Sequence, residues 1–141
     1  SRFFGEPFMP RNPNVYADML GEKMEKHGSE VYLINTGWSG GPYGEGKRMD
    51  ITLTREMVQA ALTGALKDVE YERDPIFHVQ VPKICPGIPD DSILEPINTW
   101  KDKDAYEARA KKLASEFAAQ FDKAYGSKSI DPSVAKECPG K

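Results

Sequence analysis

The strongest hydrophobic pattern lies in the last third of the chain, where Tyr106, Ala110, Leu113, Phe117 and Phe121 recur at intervals of four, three, four and four. That spacing predicts one amphipathic helix, starting at Asp102 or Asp104 and reaching Tyr125. Either aspartate suits the cap; Asp104 has Glu107 at the capping-box position, and Gly126 is the stop. The remaining GSKSIDPSVAKECPGK has no such period and reads as a loosely held tail over 126–141.

Earlier segments carry shorter signals. Asn12-Pro13 joins a favoured cap to a favoured first helical residue, which predicts a helix over 13–27 with Tyr16, Met19, Leu20 and Met24 on one face and Gly28 as the stop. The apolar, branched run EVYLIN predicts a largely buried strand in an α/β arrangement. A second helix is expected from about Thr52–Thr54 to Thr63, capped by Thr54 and burying Val58, Ala61 and Leu62. Val69 and Tyr71 share a parity with Phe77, Val79 and Val81, and Pro75 interrupts the run, so two extended pieces are expected. The Pro-rich stretch 82–96 reads as surface coil. At the start, RFFGEPFMP has no clean period and leaves Phe3, Phe4 and Phe8 short of a partner, which points to sequence missing from this chain.

Composition adds bounds. With 141 residues, 39% of them hydrophobic and 29% charged, the chain suits one globular domain burying roughly 68% of its extended surface. A net charge of −3 argues against nucleic-acid binding by a bulk positive field, and no apolar run is long enough for a membrane helix. Neither a nucleic acid nor a membrane is therefore expected as a partner. The first residues do not form a signal peptide and lack an initiator Met, so a processed or excised piece is expected. Cys85 and Cys138 fit neither a disulfide framework nor a metal half-site.

The candidate chemistry gathers where five of the twelve glycines fall, in GWSGGPYGEG over 37–46. Such a stretch is either a flexible loop or backbone shaped around a ligand, and Trp38 and Tyr43 inside it favour the second reading. Gly41 to Lys47 matches GxxxxGK, but Arg48 stands where a phosphate loop needs a hydroxyl to coordinate magnesium. Pro42 removes an amide and Glu45 adds a negative charge, so a true phosphate loop is not expected. Arg48 is suited to stacking on a flat ring or to pairing with an acid of the fold, and spacing does not choose between them. His27 is explained by a helix C-terminus, His78 has no companion ligands, and Cys85 reads as structural.

Several longer strings are more specific. VYLINTGWSGGPYGEGKRMDITLTR, together with FGEPFMP, DPIFHVQVPKICPGIP and ILEPINTWKDKDAYEARAKKLASEFAAQF, resembles the carboxy-terminal part of the ATP-dependent phosphoenolpyruvate carboxykinases, over nearly the whole chain up to Tyr125. The resemblance implies an α/β (mixed α+β) fold, with residues 1–125 the carboxy-terminal segment of that family's mobile nucleotide-binding domain. It implies a parent enzyme that converts oxaloacetate and ATP to phosphoenolpyruvate, carbon dioxide and ADP in gluconeogenesis. Magnesium and manganese would serve the intact enzyme, with their ligands, the catalytic residues and the phosphate loop upstream of this segment.

Through the GKR and TR strings the resemblance assigns Arg48 to the adenine and ribose side of ATP, Met49 to an apolar wall and Thr54 to a polar contact with the base. The expected partners are ATP and the upstream remainder of the enzyme, in a cytoplasmic protein; the segment alone would be inactive. The second reading is a non-catalytic nucleotide-binding or protein-interaction module.

Overall fold

A computed structural model describes residues 4–141 of the chain; Phe3 lies outside the described residues. Its elements are α1 (Pro13–His27), β1 (Trp38–Ser39), β2 (Lys47–Arg48), α2 (Ile51–Thr63), β3 (Tyr71–Arg73), β4 (Gln80–Pro82), α3 (Pro96–Thr99), α4 (Lys103–Tyr125) and α5 (Pro132–Ala135). Short 3-10 turns occupy Glu6–Phe8 and Asp91–Leu94. The fold is mixed α+β, and both sheets are two-stranded antiparallel ribbons, β1 with β2 and β3 with β4.

Two compact units divide the chain. One takes in the residues up to Val31, Pro75–His78 and Ala110–Lys141. In it, Asn12 caps α1 by accepting from the Asn14 N–H at 3.1 Å, and Gly28 ends the helix in the left-handed conformation. The Asn12 amide donates to the Ser129 carbonyl at 2.8 Å, and Asn14 accepts from the Asp131 N–H at 3.0 Å, so the start of α1 is tied to the cap of α5. On α4, Ala110, Ala114 and Phe121 are buried. Lys141 pairs with Asp122 at 2.5 Å and lies over the Phe121 ring. The segment expected as a loosely held tail thus carries α5, a buried Cys138 and these bonds to α1 and α4.

The other unit comprises Tyr32–Asp74 and Val79–Arg109. Ala60 of α2, Leu66 and Cys85 form its buried centre, with Tyr32, Met57, Ala61, Val69, Ile88 and Leu94 packed around them. The Tyr71 hydroxyl donates to the Leu66 carbonyl at 2.9 Å, joining the β3–β4 ribbon to the turn after α2. Asp91 accepts from the Cys85 N–H at 2.8 Å and fixes the proline-rich segment, so this coil encloses part of the core.

Three expectations are corrected. Residues 30–35 form no strand among the described residues, and Val31 and Leu33 face solvent while Tyr32 packs on the core; a strand needs a ladder with a neighbouring strand, a relation that the local run cannot supply. On α2 the buried position is Ala60, whereas Leu62 is 78% exposed and Val58 also faces solvent. Its cap is Asp50, which accepts from the Thr52 N–H at 2.7 Å, in place of Thr54. That shift moves the helix start back, while packing on Leu66 and Cys85 turns Ala60 inward and leaves Val58 and Leu62 outside. For α4 the structure selects Asp102, whose carboxylate accepts from the Ala105 N–H at 2.9 Å.

Candidate functional site

The glycine-rich segment folds as a tight ribbon. Antiparallel pairing sets Trp38 opposite Arg48 and Ser39 opposite Lys47, and the Met49 N–H continues the ladder to the Gly37 carbonyl at 2.8 Å. That pattern makes Trp38 and Arg48 the close, non-hydrogen-bonded pair, so their side chains leave the ribbon on one face. Between the strands, the Glu45 and Gly46 amides both donate to the Pro42 carbonyl, at 3.1 and 2.9 Å. A Cβ on Gly46 would sit 2.5 Å from the Gly41 carbonyl oxygen, so only glycine fits this crossing. At Gly40 a Cβ would come within 3.0 Å of the Thr99 carbonyl, which marks where the loop rests on α3.

These bonds decide against a phosphate loop. Its amides would converge on an anion and its lysine would open a helix. Here two of the amides are used inside the turn, and Lys47 belongs to β2.

From β2 the chain passes directly into α2. Arg48 is exposed and holds no ion pair among the described residues, and Met49 is half-buried. Asp50 then caps the helix, and its carboxyl is held below the ordinary range by the hydrogen bond from the Thr52 N–H. Thr54, half-buried, donates its hydroxyl to the Asp50 carbonyl at 3.3 Å. Its oxygen lone pairs stay available as acceptors. Trp38 and Tyr43 meet edge to face at 5.4 Å, with Tyr43 86% exposed and Trp38 45% exposed. The ribbon and the start of α2 thus carry an exposed guanidinium, a half-buried methionine, a threonine hydroxyl and two accessible aromatic rings.

Arg48, Met49 and Thr54 follow one another along β2, the link after it and the first turn of α2, all within the second unit; as successive ladder positions, Arg48 and Met49 send their side chains to opposite faces of the ribbon. Sequence reasoning missed Asp50 as the organising cap. The signal was present as an Asp directly before the branched pair Ile51-Thr52. The Trp38–Arg48 register, by contrast, depends on the turn between them and has no local signature.

Other candidates show no comparable grouping. Cys85 and Cys138 are both buried free thiols, and burial raises the pKa of each. For Cys85 the nearby Asp91 and Glu56 carboxylates push the same way, which disfavours a thiolate nucleophile. Among the described residues no group of three or more His, Cys, Asp or Glu side chains is placed to hold a metal, so no ligands are assigned here to the ions that the resemblance implies. No helix of the described residues is long and apolar enough to cross a membrane.

A family model described as phosphoenolpyruvate carboxykinase matches residues 1–91. The chain belongs to the phosphoenolpyruvate carboxykinase family. It is 56% identical over 123 residues to phosphoenolpyruvate carboxykinase (ATP) of Caldanaerobacter subterraneus subsp. tengcongensis, covering 87% of this chain and 23% of that protein. To the protein of the same name in Fusobacterium nucleatum subsp. nucleatum it is 54% identical over 125 residues, 89% of this chain and 24% of the relative. The relative from Geobacillus thermodenitrificans is 53% identical over 136 residues, 96% of this chain and 25% of that carboxykinase. The chain thus spans about a quarter of the length of the curated relatives it matches.

Proposed function

We propose that this chain is the carboxy-terminal segment of the mobile nucleotide-binding domain of an ATP-dependent phosphoenolpyruvate carboxykinase, and that it supplies the adenine-side wall of the ATP site. The parent enzyme converts oxaloacetate and ATP to phosphoenolpyruvate, carbon dioxide and ADP; its reacting groups and metal ligands belong to other parts of the polypeptide. The observation that carries this reading is an exposed Arg48, without an ion pair among the described residues, followed by a half-buried Met49 and then by the first turn of α2, which holds Thr54.

Each group has a distinct part. The guanidinium plane of Arg48 covers one face of the base or ribose, where a planar cation stacks well. Met49 lines the apolar side and adapts its shape to the ring. Thr54, its proton engaged by the Asp50 carbonyl, accepts from the exocyclic amine of adenine. The ribbon holds Arg48 and Met49 through main-chain bonds, so the wall is preorganised before nucleotide arrives.

In the intact enzyme, Arg48→Ala is expected to weaken ATP binding by roughly 5- to 150-fold, the worth of a stacked or charge-assisted contact. Phosphoenolpyruvate binding should hardly change. Arg48→Lys restores only part of the loss, because an ammonium lacks the planar face. Calorimetric titration of both ligands tests this, and an unchanged ATP affinity removes Arg48 from the site.

A further inference from the structure

Trp38 stands directly across the ribbon from Arg48, in the kind of pair where side chains approach most closely, and both leave on one face. Met49, one position on, goes to the other face. The ring that shares the Arg48 face is therefore the Trp38 indole, with Tyr43 edge to face beside it. Such a pair leaves at least one face of each ring uncovered, and Trp38 is 45% exposed. Its backbone, by contrast, is tied down. The Asn35 side-chain amide donates to the Trp38 carbonyl at 3.4 Å, and its oxygen accepts from the Gly37 N–H at 2.9 Å. Ser39, Gly40 and Gly41 follow, so no bulky side chain comes directly after the indole. The other tryptophan, Trp100, is half-buried with the Tyr106 ring against it. Trp38 thus joins a fixed backbone to an accessible ring, which is what a platform for a stacked base requires.

We propose that Trp38 is a further nucleotide-binding residue, whose indole face stacks on the purine of ATP while the Arg48 guanidinium lies against the same base from the opposite strand. The inference rests on the reading of this ribbon as the adenine side of the ATP site, and it adds to that reading a ring which it did not include. An indole face and a guanidinium plane both bind a flat π system through its face. They leave the hydrogen-bonding edge of the base to the Thr54 hydroxyl, so the stacking contributes affinity and the hydroxyl contributes selection.

Calorimetric titration of the intact enzyme with ATP, inorganic tripolyphosphate and phosphoenolpyruvate tests the stack. Trp38→Ala is expected to weaken ATP binding by roughly 5- to 150-fold, the usual worth of a base on an aromatic ring. Tripolyphosphate, which has the phosphates without the base, and phosphoenolpyruvate should bind as before. Trp38→Phe keeps a ring face and should recover most of the loss, whereas Trp38→Leu keeps apolar bulk without that face and should not. The Phe and Leu variants decide the question without the alanine variant, should it fail to fold. Equal losses for tripolyphosphate, or full recovery by leucine, would make Trp38 a mere support of the ribbon and overturn the inference. An unchanged ATP affinity in Trp38→Ala overturns it as well. The adenine-wall reading fails separately: a weakened Arg48→Ala beside an unaffected Trp38→Ala retires the indole and keeps the wall, whereas two unaffected variants retire both.

Discussion

His78 lies in the connection between β3 and β4 with a φ of 60°, a left-handed conformation that side chains with a Cβ rarely adopt. Its Nδ1 is buried with no hydrogen-bond partner. Both features cost stability: the backbone about 1–2 kcal/mol, and the orphaned nitrogen about 1–3 kcal/mol. Glycine relieves both while losing chain entropy of about 0.5–1 kcal/mol, along with the packing of a half-buried ring. His78→Gly is therefore expected to stabilise the fold by about 1 kcal/mol, seen as a higher urea midpoint with an unchanged slope. A lower midpoint would mean that the ring's packing outweighs the strain. The sequence marks His78 only as a histidine without companion ligands. The positive φ follows from closing the ribbon, where the Asp74 N–H reaches the Val79 carbonyl at 2.9 Å.

At the scale of elements, aspartate caps recur. Asp50, Asp90 and Asp131 each accept from the N–H two residues on, and each carboxyl is held below its ordinary pKa by that neighbour, through the Thr52 backbone and through the Ser92 and Ser133 hydroxyls and amides. A carboxylate with a depressed folded pKa contributes stability that is present above its unfolded pKa and is lost as pH falls through the folded value. Acidification below the ordinary carboxylate range should thus fray α2 at its start, directly after Arg48 and Met49. In the intact enzyme, Asp50→Asn keeps the cap without the titration and is expected to flatten the acid limb of ATP affinity. An identical acid limb in the variant would assign that loss to other groups. The caps of α1 and the stops at Gly28 and Gly64 were legible because each depends on a few adjacent residues. The inner face of α2 was not, since Ala60, Leu62 and Val58 are ranked by what packs against them.

At the scale of the whole molecule, the described chain leaves Phe4, Phe8, Met19, Leu20, Leu33 and Leu62 exposed. Apolar surface spread over helices and the 30–35 segment favours association. The isolated chain is expected to sediment as a concentration-dependent mixture and to show no carboxykinase turnover. Phosphoryl transfer requires a phosphate cradle and charge neutralisation held in register. A coupled assay of oxaloacetate with ATP checks the second expectation, and turnover near that of an intact enzyme would overturn the proposed division of labour. The sequence by itself determined the long helix α4, the capped α1, the break at Pro75 and the family, because short-range periods, caps and shared strings are written in adjacent residues. Only the tertiary structure decided that Trp38 faces Arg48, that Ala60 is the core position of α2, and that residues 30–35 form no strand among the described residues. Pairing, burial and strand completion are relations between distant segments, and their free energy exists only once those segments meet.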